Sequence, residues 1–312
     1  MHRRDFLTAA VGVAATAALS PAKDPPPMLD AIDTHQHLWD PTKIKLAWLT
    51  KGSELDASFT PKEYAAAIAG LKVVKSVYME VDVVPEQQQA EVDYITELCK
   101  EKKTPTVAAV VSGRPGKPGF AVYVAQFKSN KFVKGLRRVL HADSTPAGTC
   151  LEKAFVTDVQ FLGELGLSFD LCMRAGEILD GAKLAEKCPD TRFILDHCGN
   201  PRYDFTDKQK DQWKVDLAVV AKQPNTVCKV SGFVANGWPK GKWKADDLAW
   251  VINHTVDTFG TDRVMFGGDW PVCTLAGTYS DWLTALRQVI SSRPEADQKK
   301  ILHDTAAKFY GI

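Results

Sequence analysis

The sequence predicts a single α/β domain folded as a (β/α)8 TIM barrel. The chain has 312 residues, of which 45% are hydrophobic, and this suits one large domain with a well-filled core. From residue 30 onward, short apolar β-branched runs alternate with longer amphipathic segments, as in βα units around a parallel sheet. Eight such runs can be counted, which is the number of strands that closes this barrel.

Each predicted strand is a short apolar run, bounded by turn residues or by a helical pattern. The strands are predicted at residues 31–34, 73–79, 106–111, 133–136, 167–171, 192–195, 226–230 and 263–266. Helices between them are predicted at residues 61–69, 85–100, 119–128, 149–165, 176–188, 208–221 and 246–259. Residues 38–59 are too many for a simple βα turn, so we expect them to form a lid or rim over the barrel mouth.

The N-terminal residues 1–22 have the order of a twin-arginine export signal. Arg3 and Arg4 precede an apolar stretch at residues 7–19 that is too short to span a bilayer well. Ser20-Pro21-Ala22 is the expected cleavage site, and no cysteine follows within reach for a lipid anchor. We therefore expect residues 23–312 to form a catalytic domain that is exported folded to the periplasm or secreted, without a stable membrane anchor.

Charge and cysteine content narrow the classes of partner. The formal net charge of +1 provides no general attraction for nucleic acid or for an anionic membrane, so a small-molecule partner is favoured. Seven cysteines occur without a Cys-x-x-Cys pair, which predicts buried thiols instead of a disulfide framework or a zinc knuckle. The oligomeric state is left open.

Polar residues follow the predicted strands at the end of the barrel where active sites of this fold lie. His35 and His37 are two positions apart in the first strand, so both side chains point to the same side. Two imidazoles at this spacing suit a divalent metal ion or a substrate carbonyl, although His-x-His alone also occurs as two ordinary surface histidines. Similar residues at the other strand ends favour the functional interpretation.

Further candidates come from the later strands. Asp269 follows an apolar strand and two glycines that allow close backbone approach, which makes it the best general-base candidate, with a helix N-cap as the alternative. His197 is comparable, with a core or capping histidine as its alternative. Strand alternation sends Arg137 inward, where it suits a carboxylate or sugar hydroxyls, and Arg138 outward. His141 suits the barrel mouth and a surface loop equally well.

Five ordered motifs together resemble the amidohydrolase superfamily, and within it the amidohydrolase 2 lactonase-like group of L-fuconolactonase, L-rhamnonolactonase and sulfomuconolactonase types. The motifs lie at residues 32–41 (IDTHQHLWDP), 134–137 (KGLR), 193–201 (FILDHCGNP), 228–232 (CKVSG) and 265–273 (MFGGDWPVC). The resemblance spans residues 23–312 and implies a hydrolase that opens a carboxylic ester, usually a sugar-acid or muconate-type lactone.

The resemblance also implies roles for individual residues. The expected catalytic residues are Asp269, His197, His35 and His37, with Asp269 as general base toward water. Substrate contacts are expected from Arg137, Trp39, Trp270, Glu80 and His141. A single zinc or manganese ion would use His35, His37 and Asp269, with Glu80 as an additional ligand. Metal-rich members carry a lysine on strand 4 or a histidine on strand 5, where this chain has Arg137 and Asp170, so we expect one metal at most, and catalysis without metal stays open.

Two other functions are compatible with the same barrel. One is a decarboxylase of the same superfamily that acts on an aromatic or muconate acid. The other is a periplasmic binding protein without catalysis, which the intact acid and base groups at the strand ends disfavour. Because one fold hosts many chemistries, the substrate stays an inference from resemblance.

Overall fold

A computed structural model describes residues 28–312, so the predicted export signal lies outside the described residues. The described chain forms one sheet of eight parallel strands in sequence order, with helices between them. The strands are β1 Ala31–Gln36, β2 Val73–Met79, β3 Thr106–Ser112, β4 Val133–Val139, β5 Ser168–Cys172, β6 Arg192–Leu195, β7 Thr226–Val230 and β8 Val264–Phe266. The predicted (β/α)8 TIM barrel is confirmed, and each observed strand overlaps a predicted one.

The helices follow the strands around the outside of the barrel. They are α1 Pro61–Ala67, α2 Gln88–Glu101, α3 Phe120–Ala125, α4 Lys153–Glu164, α5 Ile178–Lys187, α6 Asp207–Ala221, α7 Ala245–Phe259, α8 Tyr279–Ile290, α9 Glu295–Lys299 and α10 Thr305–Tyr310. The predicted helix at 149–165 is in fact interrupted, because Glu152 has an extended backbone between a 3-10 turn and α4. Within the described residues, no helix is long and apolar enough to cross a membrane.

Two apolar clusters stabilise the barrel. The larger one lies between the strands and the surrounding helices. The smaller one joins residues of five strands, among them Ile32 and Met265, which can meet only inside the barrel. Ala306 and Tyr310 of α10 join this inner cluster, so the C-terminal helix packs against the strands. All seven cysteines are buried and unpaired, as expected from their spacing.

The long segment after β1 folds back over the barrel mouth, as predicted. Trp39 pairs with Phe59 through two backbone hydrogen bonds of 2.9 and 2.8 Å. The Trp39 indole donates to the Leu55 carbonyl at 3.2 Å, and the Trp48 indole donates to the Val81 carbonyl at 2.7 Å. These contacts fix two indoles and Leu55 along the wall of the cavity described next.

Candidate active site

A cavity of about 420 Å³ opens at the carboxyl ends of the strands. Its walls come from residues that end or follow seven of the eight strands, which is where catalytic groups of this fold are expected. The predicted site residues among them are His37, Trp39, Arg137, His141, His197 and Asp269. Cys172, Asn200 and Asn236 also line the cavity and were not anticipated, because nothing in their local sequence distinguishes them from ordinary strand-end or loop residues.

Asp269 lies between His35 of β1 and His37, which directly follows that strand. Its Oδ1 is 3.3 Å from His37 Nε2 and 3.6 Å from His35 Nε2. The His37 Nδ1 lies 3.0 Å from the Met79 carbonyl, which can only accept, so Nδ1 carries a hydrogen and Nε2 faces the carboxylate. Because an unprotonated nitrogen and a carboxylate oxygen repel each other at this distance, a shared proton or a cation belongs between them.

The backbone at the end of β8 is shaped to bring Asp269 to this position. Asp269 has φ +52°, a left-handed conformation that costs a non-glycine residue energy, and its amide donates to the His35 carbonyl at 2.7 Å. A Cβ on Gly267 would lie 2.8 Å from the His35 Cβ. A Cβ on Gly268 would lie 2.5 Å from an oxygen of Asp33. The two glycines therefore permit the close contact between β8 and β1 that the site requires.

Asp33 holds the two sides of this contact together. Its buried carboxylate accepts hydrogen bonds from the amides of His35 (2.9 Å) and Gly268 (2.7 Å). It also accepts from the hydroxyls of Tyr64 (2.9 Å) and Tyr279 (3.0 Å). Burial raises the pKa of Asp33, while these four donors oppose that rise. Asp33 is a positioning residue that the sequence motif contains, although its role could not be identified without the contact to Gly268.

His197 is positioned by an unusual turn after β6. Residues 197–200 all have positive φ, between +54° and +73°, so the chain forms a left-handed turn. His197 Nδ1 lies 2.8 Å from Ser231 Oγ, and the ring centroid is 4.5 Å from that of His35. A Cβ on Gly232 would lie 2.2 Å from His197 Nδ1, so only glycine leaves room for the imidazole. Burial lowers the pKa of His197 and lowers that of His35 far below its usual range, which keeps both imidazoles neutral.

Arg137 points inward, as predicted, and is 5% exposed. Its Nε donates to Glu80 Oε1 at 2.6 Å, its Nη2 donates to the Glu80 carbonyl at 2.9 Å, and its Nη1 is 3.2 Å from His35 Nε2. Glu80 is fully buried and its second oxygen accepts from Ser112 and from the amide of Asp82. The structure thus corrects the prediction for Glu80: its carboxylate is occupied by Arg137 and does not line the cavity.

A second buried ion pair lies below the histidines. Lys229 Nζ is 2.5 Å from Asp170 Oδ2 and 3.4 Å from Asp196 Oδ1, and all three side chains are fully buried. Asp196 also lies 3.5 Å from His35 Nδ1 and 3.5 Å from Arg137 Nη1. Burial alone would raise the pKa of Asp196, but attraction by Lys229, together with the contact to His35, holds it well below its usual range. Asp196 therefore stays ionised and links the ion pairs to His35.

The donor groups fit one divalent metal ion. His35, His197 and Asp269 each offer one ligand atom within 4.8 Å of the others. Imidazole and carboxylate donors suit zinc or manganese. The predicted ligand set changes, since His197 replaces His37 in this group and Glu80 is outside it. Cys172, Asp196 and His197 form a second group of the same size that shares His197.

One predicted substrate contact is displaced from the cavity. Trp270 is 3% exposed, and its ring packs edge-on against Phe59 and Tyr64, with centroids 5.5 and 5.3 Å away. The resemblance implied a substrate contact, but these ring contacts keep Trp270 out of the cavity wall. Trp48 contributes an indole to the wall instead.

Known proteins resemble the chain over most of its length. Two enzymes named L-fucono-1,5-lactonase, from Burkholderia multivorans and Burkholderia ambifaria, are each 27% identical and match 90% of this chain and 96% and 95% of their own lengths. The crystal structure of an amidohydrolase from Burkholderia multivorans with bound zinc has the same fold, with a TM-score of 0.81, 24% identity, and coverage of 91% of this chain and 99% of that one. The amidohydrolase family model matches residues 32–312, and the chain therefore belongs to the amidohydrolase family.

Proposed function

We propose that the protein is a lactone hydrolase, which opens a cyclic carboxylic ester by attack of water. The observation that carries the proposal is the placement of the Asp269 carboxylate within 3.3 to 3.6 Å of two imidazoles, at a cavity that Arg137 also lines. This arrangement combines a base, hydrogen-bond donors and a cation at one point. The similarity to two L-fucono-1,5-lactonases supports a sugar-acid lactone as the substrate class.

The proposed reaction uses the residues in fixed roles. Asp269 takes a proton from water as the water oxygen forms a bond to the lactone carbonyl carbon. The negative charge that develops on the carbonyl oxygen is stabilised by the positive charge of Arg137, which also orients the substrate, and by the proton that Asp269 shares with His37 Nε2. The ring C–O bond then breaks, its electron pair stays on the ring oxygen, and that oxygen takes the proton from Asp269 or through His197. The product is the open-chain hydroxy acid.

A divalent ion fits this proposal but is not required by every step. His35, His197 and Asp269 would hold one zinc or manganese ion, and the zinc in the Burkholderia multivorans amidohydrolase supports zinc. A bound ion of this kind polarises a carbonyl and lowers the pKa of water. Without metal, Arg137 supplies the same kind of stabilisation through its charge and its N–H donors.

We also propose that the enzyme works in the periplasm or outside the cell. The support is the order of residues 1–22, in which an arginine pair precedes an apolar stretch and a cleavage site of small residues. Replacement of both Arg3 and Arg4 by lysine should retain the protein in the cytoplasm, which cell fractionation would show. Normal export of that variant would contradict the twin-arginine route.

The function is tested with a panel of aldonolactones and muconolactones, using an indicator to follow acid release. Asp269→Asn should lower kcat/KM by about 10² to 10⁴-fold, the typical contribution of a general base. The matched control Asp211→Asn alters an exposed aspartate of α6 and should leave the rate unchanged. If the wild-type protein opens no lactone, or if Asp269→Asn retains full activity, the proposal fails. Release of CO₂ from an aromatic acid would identify the decarboxylase alternative.

A further inference from the structure

A second cavity of about 480 Å³ adjoins the first. It lies between the turn that precedes α5 and the first half of α6. The two cavities share three lining residues, His141, Asn200 and Asn236, so they are adjacent chambers separated only by these side chains. The proposed lactone reaction uses only the first chamber.

The boundary between the chambers is built from two asparagines. Asn236 Nδ2 donates to Asn200 Oδ1 at 3.0 Å, and Asn200 Nδ2 donates to the Met173 carbonyl at 2.7 Å. Asn200 ends the left-handed turn that begins at His197. One short element therefore fixes both the catalytic imidazole and the entrance to the second chamber, which gives the chambers a defined relative position.

The lining of the second chamber combines amides, a carboxylate and aromatic rings. Asp216 is 7% exposed and its Oδ1 accepts from Gln212 Nε2 at 2.8 Å. Trp213 is held in place by donation from its indole to the Cys198 carbonyl at 2.9 Å, and Phe205 contributes a second ring. Amide and carboxylate groups pair with hydroxyls, which donate and accept, while the rings pack against apolar C–H faces.

The charges of the chamber disfavour an anionic ligand. Arg174 lies 3.0 Å from Glu177, and Arg202 lies 2.9 Å from Asp204, so both cations are already paired. Asp216 adds a negative charge to the same wall. A neutral, polyhydroxylated group is therefore the best match, because it can use the amides without bringing a second negative charge to Asp216.

We propose that the second chamber binds a sugar ring attached to the lactone, so that the substrate is a lactone of a disaccharide acid. The inference rests on the proposed lactone hydrolysis and narrows its substrate. The lactone ring would lie against His37 and Asp269, and the linkage would pass Asn200 and Asn236. The chamber volumes of about 420 and 480 Å³ are each within the range of small-molecule sites.

The test compares cellobiono-1,5-lactone with glucono-1,5-lactone, corrected for uncatalysed opening. We expect kcat/KM for the disaccharide lactone to exceed that for the monosaccharide lactone by about tenfold or more, the size of effect that one filled pocket provides. Equal values for the two lactones would overturn the proposal and leave lactone hydrolysis standing.

Gly176→Trp adds a large side chain at the wall of the second chamber. Gly176 lines it, its φ is not left-handed, and a Cβ built there meets no atom within 4 Å, so the larger side chain has room. The ratio of the two kcat/KM values should fall about tenfold in this variant. Val122→Trp adds the same side chain at an exposed position of α3 and should keep the wild-type ratio. An unchanged ratio in folded Gly176→Trp would contradict the proposal.

Two further measurements keep the outcome decisive. Gln212→Ala removes one amide from the chamber, together with its hydrogen bond to Asp216, and should lower the same ratio. If neither lactone is opened, the proposed function fails, and calorimetric titration with cellobionate and gluconate tests the chamber directly. Tighter binding of cellobionate supports the second sugar site, and equal Kd values overturn it.

Discussion

Arg137 and Glu80 form a buried ion pair across the barrel mouth, with 2.6 Å between Arg137 Nε and Glu80 Oε1. The pair sets the direction of the guanidinium, so that Nη1 remains 3.2 Å from His35 Nε2. Burial would lower the pKa of Arg137, but attraction by Glu80 more than compensates and raises it. The pair therefore provides a permanent, oriented cation beside the His35 imidazole.

Glu80→Gln tests this role. The substitution keeps the size of the side chain but leaves the Arg137 charge uncompensated in a buried position, which typically costs about 3 to 5 kcal/mol. We expect a lower free energy of unfolding. In the protein that still folds, kcat should also fall, so that kcat/KM decreases by more than the change in KM accounts for. Denaturant unfolding and steady-state kinetics measure the two effects. Glu54→Gln, which removes an exposed partner of Lys240, serves as the control and should change little.

A second prediction concerns the glycine that makes room for His197. A Cβ on Gly232 would lie 2.2 Å from His197 Nδ1, so Gly232→Ala should displace the imidazole and lower kcat/KM by at least about 10²-fold, as expected when a catalytic group moves by 1 Å. Gly237→Ala is the matched control, because φ is also positive there (+91°) but the nearest atom is 3.9 Å away. Equal losses of activity in both variants would mean that backbone strain, not the contact with His197, is responsible.

Local pattern was sufficient to predict the strands. Each is a run of apolar residues, and in a barrel such a run is buried on both sides, so composition and burial agree. β1 nevertheless extends two residues past its predicted end, because His35 and Gln36 are polar residues kept in the strand by contacts with β2 and β8. The helix α8 was not predicted individually, although Thr278 and Asp281 form its capping box.

For the residues of the site, the sequence predicted which side chains face the barrel mouth but not which side chains pair with one another. Strand alternation was enough to place His37 and Arg137 on the cavity. The pairing of Lys229 with Asp170 joins residues 59 positions apart on non-neighbouring strands, and no sequence spacing indicates it. For the same reason the Arg137 partner of Glu80 was missed, and Glu80 was assigned to substrate and metal.

Glu91 gives a prediction for pH dependence. Burial, followed by repulsion from Glu80, raises the pKa of Glu91 to about 7, whereas its usual value is 4.5. Between pH 4.5 and 7 the folded protein therefore binds a proton at Glu91 that the unfolded chain does not bind. The stabilisation from this proton is fully present below pH 4.5 and is lost as the pH rises through 7. The contribution is of the order of 3 kcal/mol at most.

The measurement compares wild-type protein with Glu91→Gln, which cannot titrate. The difference in unfolding free energy between the two should favour the wild type more at pH 5 than at pH 8. Glu97→Gln, at an exposed position of the same helix α2, should show no such trend. A difference that is independent of pH would show that Glu91 stays ionised, held by its hydrogen bonds from Tyr78, Val81 and Ser112.

The final prediction concerns metal content. The ligand atoms of His35, His197 and Asp269 lie within 4.8 Å of one another, so together they can hold one divalent ion. Protein equilibrated with zinc and freed of excess metal should therefore contain one ion per chain by elemental analysis, and zinc should raise Tm because it binds only the folded state. His35→Ala should lose both the ion and the rise in Tm, whereas His254→Ala, which alters a histidine packed on Trp213, should keep them.

Two ions per chain would instead indicate that Cys172, Asp196 and His197 hold a second one, and no bound ion would favour catalysis by the imidazoles and Arg137 alone.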